Sequence, residues 1–484
     1  MKRSIKLNYI LNMSYQCLTI LIPLSTTPYL SRVLGAEGVG ANSYVISMAS
    51  YFTLFAIMGS GTYAQRKVAS YQDDKHMRSV VFWDVLLFRV ITTVVASLSY
   101  IGYLLVLKPN NLLISQIYLI YILCVAFDVT WFYQGMEDFV TVVGRNLLIR
   151  IVNVVVIFTF VKTSSDLPIY CLSFVGLTIM ANIWTLFLMP KYIEKVAISE
   201  VRPFRELKDI LVLFVPTIAI QMYTLLDKTM IGWFSTGSAE NGYFNQTENM
   251  VKMCLMVITS LCTVMLPRMS KWFAEGNKNQ FNYYLKKSYS FAWLLSIPMS
   301  LGMISIATTF VPVFFGPGYD KSIILMYILA PIIIAISMSS ITGNQLLLPS
   351  HLHKEYNISV ITGAFVNLVI NLIMIPRFHS IGAAVGTLVA EVLVSTVQLI
   401  LCRKKGVLEF KTVFGSASRY LLAGGCMFVA LLFIKRFLEI NALGLIVLIV
   451  AGGVIYLIAL LAMKDSLVVD TLHSVLGKSD ERKK

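Results

Sequence analysis

Apolar runs of about twenty residues, separated by short clusters of charge, glycine or proline, recur from one end of the chain to the other. A helix rises about 1.5 Å per residue and a hydrocarbon core is roughly 30 Å thick, so runs of this length can cross a membrane. They fall at residues 8–30, 41–63, 80–107, 112–133, 146–161, 167–189, 210–234, 242–266, 289–313, 322–348, 357–375, 381–402, 418–434 and 442–463. The pattern predicts an all-α polytopic membrane protein of about fourteen transmembrane helices. The fifth, eleventh and thirteenth runs are short or carry polar residues.

Loop charge tests this threading, because Lys and Arg concentrate in cytoplasmic loops. With the N-terminus inside, the inner segments carry about 28 Lys and Arg, among them Lys2, Arg66, Lys271 and Arg482 to Lys484, and the outer loops about 7. An even number of spans follows, with both termini cytoplasmic in a cell-membrane protein. The run after Lys2 and Arg3 continues through Pro23 and Pro28 without a small-residue cleavage site, so it is expected to stay as the first helix. No connection exceeds about 25 residues, which is too short for a soluble catalytic domain, and the chain is not expected to be an enzyme.

Weak internal repetition accompanies the spans. Gly40 precedes a span ending near Arg66, Gly242 one ending near Arg268, and Tyr44 and Tyr243 follow the glycines. Val152-Asn153 opens a run matching Val366-Asn367. Chance likeness between apolar helices is the competing explanation. The favoured organisation is a lobe of six helices at 1–200, a second at 201–405, and two further helices with a cytoplasmic tail at 406–484.

Composition agrees with the pattern. Hydrophobic residues make up 57% of the 484, charged residues 13%, and mean hydropathy is +0.75, far from a soluble chain. The net charge of +15 lies mostly between the apolar runs, so nucleic acid is not an expected partner; membrane lipid is. The seven cysteines sit within apolar runs without metal-site spacing, and His351 and His353 form only an isolated H-x-H in a loop, so no metal or cofactor is predicted.

Charges inside the spans change the picture most, since each costs at least roughly 2.5–3.5 kcal/mol at mid-membrane and so faces a bundle interior or a wet cavity. Arg89, Thr92, Thr93, Ser97 and Tyr100 share one helical face, as do Arg150 and Asn153 with Asn146. Asn245, Glu248, Asn249 and Lys252 stack at i, i+3, i+4 and i+7, which sets Glu248 to pair with Lys252. Glu391 and Gln398 lie on another stripe with Thr387 and Ser395; Lys228 follows Asp227 on the seventh span. Asp84 and Asp128 add carboxylates, but Asp84 and Arg89, five apart, do not share a face. Either these stripes are helix contacts held by hydrogen bonds, or the cations line a path for an anionic, sugar-bearing amphiphile. The carboxylates then neutralise the cations or bind a coupling proton or Na⁺.

Four passages carry a resemblance: Pro28-Tyr-Leu-Ser-Arg-Val-Leu-Gly-Ala-Glu-Gly-Val-Gly40; Trp131-Phe-Tyr-Gln-Gly-Met-Glu-Asp138 with Gly144-Arg-Asn146; Leu226-Asp-Lys-Thr-Met-Ile-Gly232 with Gly242-Tyr243; and Ile381-Gly-Ala-Ala-Val-Gly-Thr387. Together they resemble the Wzx-type polysaccharide repeat-unit flippases of the multidrug/oligosaccharidyl-lipid/polysaccharide exporter superfamily. The resemblance implies twelve core helices in two lobes around a central cavity, two added helices and alternating access. It implies an oligosaccharide on a polyprenyl diphosphate carrier as substrate, for capsule or polymer assembly, with polymerase machinery as a candidate partner. Arg32 then looks like part of the first outer hinge and Asp227-Lys228 like the seventh-helix charge pair. The competing readings are a cation-coupled multidrug exporter of the sister family, and a membrane-bound polymerase or glycosyltransferase. The latter needs a long outer loop that the sequence lacks.

Overall fold

The computed structural model describes residues 5–465 and 467–470, and all regular secondary structure among them is helical. Lys2, Arg3 and the tail with Arg482 to Lys484 lie outside the described residues. Twelve helical stretches are long and apolar enough to cross a membrane, close to the expected fourteen. The first, Leu21–Ser70, is 50 residues long, enough for two crossings at about 1.5 Å per residue. The loop expected at 31–40 is instead helical, and Gly35 alone turns the chain there, with φ of 64° that a side chain would resist.

Contacts divide the chain into two units, Met1–Gly242 and Tyr243–Lys484. The first holds α1 (Ile5–Ile57), α2 (Ser60–Ser70), α3 (Lys75–Leu107), α4 (Leu112–Val125), α5 (Thr130–Gly135), α6 (Phe139–Phe160), α7 (Leu167–Leu188), α8 (Leu207–Phe234) and the start of α9 (Ala239–Ala274). Asp74 and Asp138 begin α3 and α6 by accepting the backbone N–H groups of Met77 and Thr141. Val45, Ala49, Tyr100, Tyr118 and Ile122 pack α1 against α3 and α4, while Phe82 and Phe88 meet Trp131 and Phe132 in a second core. Two expected spans are interrupted in this unit. Met58 and Gly59, at φ 49° and 73°, separate α1 from α2, and residues 126–129 separate α4 from α5.

The second unit holds the rest of α9, α10 (Lys278–Phe314), α11 (Asp320–Leu329), α12 (Ile332–Ile341), α13 (His353–Phe378), α14 (Ser380–Lys404), α15 (Phe410–Phe414), α16 (Ala417–Ile434) and α17 (Ala442–Ala462). Ala330 and Pro331 interrupt its α11–α12 span, since proline cannot continue a helical hydrogen-bond ladder, and α12 runs into a π-helical turn at Thr342–Leu347. The two C-terminal helices α16 and α17 pack on α10, where Gly424 lies against Ile297.

The repeat in the sequence has structural counterparts. Asn277 caps α10 as Asp74 caps α3, 203 positions earlier. Pro331, at the α11–α12 interruption, lies 203 positions after Asp128, at the α4–α5 interruption. By contrast α9 runs unbroken through the positions matching Met58 and Gly59.

Candidate functional site

Two buried cations of the first unit, Arg89 and Arg145, gather at its interruptions. A helix broken in apolar surroundings leaves carbonyls without partners, and each must be satisfied from within the protein. From α3, Arg89 reaches both breaks: its Nε donates to Ser60 Oγ at 2.8 Å and its Nη1 to the Asp128 carbonyl at 2.7 Å. The guanidinium lies over the Trp131 ring, 5.7 Å from its centroid, and Arg89 is only 4% exposed. One turn later Thr92 Oγ1 donates to the Ala56 carbonyl at 2.6 Å. A Cβ on Gly61 would come within 2.9 Å of the guanidinium, so the small residue leaves it room.

Two further helices complete the arrangement. Arg145 on α6 is buried, donates to the Asn182 side-chain oxygen, and lies 3.7 Å from the Asp128 carboxylate. Asn182 on α7 donates to the Cys124 carbonyl at 2.9 Å, at the open end of α4. Asp128 also accepts the N–H of Thr130, the first residue of α5, at 3.1 Å. Arg89 is legible in the sequence as a stripe residue and Asp128 as a carboxylate within a span. Arg145 and Asn182 carry no such signal: Arg145 lies just before the fifth run, and Asn182 is a single amide in the apolar run 167–189.

The other candidates are distributed differently. Asp84 does not meet Arg89; its carboxylate accepts the Arg202 N–H at 2.6 Å and lies 3.7 Å from Arg205, in the connector between α7 and α8. Lys252 and Glu248 form the expected pair at 2.6 Å, with the Lys252 side chain 53% exposed and that of Glu248 17%. Arg32 is exposed, Arg150 and Lys228 are half-buried, and Asp227 is buried. Asn153 accepts from Ser173 Oγ at 3.1 Å, tying α6 to α7. On α9 Asn245 and Asn249 are half-buried; on α14 Glu391 is half-buried and Gln398 is buried.

The same unit holds a charged cavity of about 210 Å³ where α2 and α3 meet the connector, lined by Tyr63, Lys67, Asp84, Arg202, Arg205 and Glu206 among others. Lys67 pairs with Glu206 at 3.2 Å across it.

The motif glycines mark close backbone approaches. A Cβ on Gly40 would strike the Ser238 carbonyl, and one on Gly242 the Ala36 carbonyl, so the two helix starts cross reciprocally with no room for side chains. Gly135 lies against the Gln65 carbonyl, Gly232 against the Tyr44 ring, and Gly386 against the Asn371 side chain.

A family model described as polysaccharide biosynthesis protein matches residues 5–273, and one for the lipid II flippase MurJ matches residues 149–452. The putative O-antigen transporter of Escherichia coli (strain K12) is 27% identical over 84% of this chain and 99% of its own length. That of Shigella dysenteriae is 21% identical over 77% and 94%. Among solved structures, the lipid II flippase MurJ in an inward closed conformation superimposes with a TM-score of 0.72 at 16% identity, covering 96% of this chain and 99% of that one. An inward-facing multidrug resistance MATE family transporter of the MOP superfamily gives 0.63 at 14%, covering 82% and 97%.

Proposed function

The chain belongs to the polysaccharide biosynthesis protein family, as a Wzx-type flippase of the MOP superfamily, and from that premise we propose that it moves a polyprenyl-diphosphate-linked oligosaccharide repeat unit from the cytoplasmic to the outer leaflet by alternating access. The observation that carries this reading is the match to the Escherichia coli putative O-antigen transporter over 99% of that protein's length. In this reading the protein lies in the cytoplasmic membrane with both termini inside, and delivers its cargo to polysaccharide polymerase machinery.

Lys252 is the first candidate for the diphosphate, because its side chain is 53% exposed and its charge is shared with one carboxylate on its own helix. Arg32, Arg150 and Lys228 are further candidates. Arg89, enclosed by Ser60, Asp128 and Trp131, acts by holding the interrupted helices in register. Asp84, Asp128, Asp227, Glu248 and Glu391 are the candidate carboxylates for a coupling H⁺ or Na⁺, and of these Asp84, Asp128 and Glu248 lie beside cations.

Vesicles reconstituted with the chain and a lipid-linked oligosaccharide provide the test. Lys252→Ala is expected to lose most flipping while inserting normally; a wild-type rate removes Lys252 from the site. Collapsing the proton or Na⁺ gradient is expected to slow flipping, and an unchanged rate under both treatments means passive facilitation. Export of organic cations with no movement of the glycolipid would replace this reading with that of the sister exporters.

A further inference from the structure

The connector 189–206, which leads from α7 to α8, is fastened along the ends of α2 and α3. Arg78 Nε donates to the Tyr192 carbonyl at 2.8 Å, the Glu194 N–H donates to Ser79 Oγ at 2.9 Å, and the Asp84 and Lys67 contacts hold Arg202 and Glu206. Between these anchors sits His76, in the first turn of α3 ahead of the apolar run. Its Nδ1 lies 3.1 Å from Glu194 Oε1 and its Nε2 2.8 Å from Glu200 Oε2. The three side chains are between 41% and 48% exposed, so they meet in water.

Both ring nitrogens face carboxylate oxygens, which only accept. A neutral imidazole has one N–H and satisfies one of them; only the imidazolium, with two, satisfies both. We propose that His76 is a pH-sensitive clasp, which as imidazolium binds Glu194 and Glu200 together and holds the α7–α8 connector on α3, and which opens when the ring loses its proton. Opening leaves two carboxylates sharing one donor, and they repel each other.

The hydrogen bond to Glu200 and then that to Glu194 raise the His76 pKa above the ordinary histidine value. The sign follows: the clasp is complete below about pH 6.5, where an unpaired histidine is already charged, and is lost as pH rises through the raised value. The other charged groups nearby are Arg205, which donates to the Glu200 carbonyl at 2.6 Å, Lys195 on the connector, and Asp74, Lys75 and Arg78 on and before α3. Histidine is the side chain whose ordinary charge change falls between pH 5 and 8, so His76 is the group that responds there. A shift of α8 relative to α1–α3 would have to bend or release this connector, so the clasp would couple such a shift to pH.

Hydrogen–deuterium exchange of residues 189–206 in the full chain, compared between wild type and His76→Gln at the same pH, provides the test. At pH 6 the connector is expected to exchange about three- to fivefold more slowly in wild type, the scale of exposed ion pairs, and the ratio should approach one by about pH 9. His76→Lys keeps a permanent charge and should hold the protection to pH 9. Equal protection of α13 and α14 in all three proteins shows that the variants are folded. Wild type and His76→Gln exchanging alike at every pH, or differing by a constant factor, overturns the clasp.

Discussion

The two units meet the same problem with different chemistry. Each contains an interrupted span 203 positions apart, and each must satisfy backbone groups that water does not reach. The first does so with charge: Arg89 and Arg145 converge on Asp128 from neighbouring helices, with Asn182 closing α4. In the second, backbone bonds bridge the break itself, with the Ile333 and Ile334 N–H groups donating to the Ala330 and Pro331 carbonyls at 3.1 and 3.0 Å, and neutral groups gather farther along at the π turn that follows α12. Tyr289 and Thr342 share a hydrogen bond at 2.8 Å, Gln345 approaches the Cys262 sulfur at 3.7 Å, and Gln398 is buried with them. Ala292, 203 positions after Arg89, is fully buried. The difference tracks the second break: α1–α2 is interrupted and needs a donor that spans two sites, whereas α9 is continuous and does not.

The helix pairs that follow differ as well. α13 and α14 are joined through glycines, with Gly363 against Val394 and Gly386 against Asn371, while Gly144 and Gly176 of α6 and α7 face open space. There the contact comes from Arg145 with Asn182 and Asn153 with Ser173. Close packing of side chains against glycines does in one unit what polar side-chain bonds do in the other.

Exchanging the chemistries should break the comparison most severely. Ala292→Arg places a cation where no broken helix awaits it, and is expected to cost at least about 5 kcal/mol, read as loss of monodisperse protein on gel filtration. Arg89→Met should cost about 3–5 kcal/mol in reversible unfolding in mixed micelles, with Arg89→Lys recovering no more than half, because one ammonium cannot span Ser60 and Asp128 as the guanidinium does. A loss under about 1 kcal/mol for Arg89→Met would mean the breaks stand without it. Asn182→Leu strands one Arg145 donor and removes the side-chain donor to the Cys124 carbonyl, which keeps the Phe127 N–H at 3.1 Å, for an expected loss of about 2 kcal/mol in the same assay. Tyr289→Phe removes one neutral bond, leaves Thr342 donating to the Met338 carbonyl, and should cost about 1 kcal/mol. Equal losses for Arg89→Met and Tyr289→Phe would erase the distinction between the units.

Much of this was legible in the residues. Helix class and the approximate span count followed from hydropathy, Glu248 and Lys252 met as their spacing required, and Asp84 and Arg89 kept apart for the same reason. The glycines of the quoted passages are close-approach positions. Less legible was the replacement of the expected loop at 31–40 by a single kink at Gly35, because helix-permitting residues flank it on both sides. His76 gave no sign of its two carboxylates, which lie 118 and 124 positions away.

By itself the sequence determined that this chain is a bundle of membrane-crossing helices with charges on particular faces. Hydropathy and helical periodicity are properties of consecutive residues and need no neighbour to be evaluated. Apart from the Glu248–Lys252 pair, only the tertiary structure decided where the charges go: Arg89 to a serine and a carbonyl at two helix breaks, and Asp128 beside Arg145. A helical face gives a direction, but the partner met there is set by which carbonyls other helices leave open, and that depends on where those helices break and how they pack.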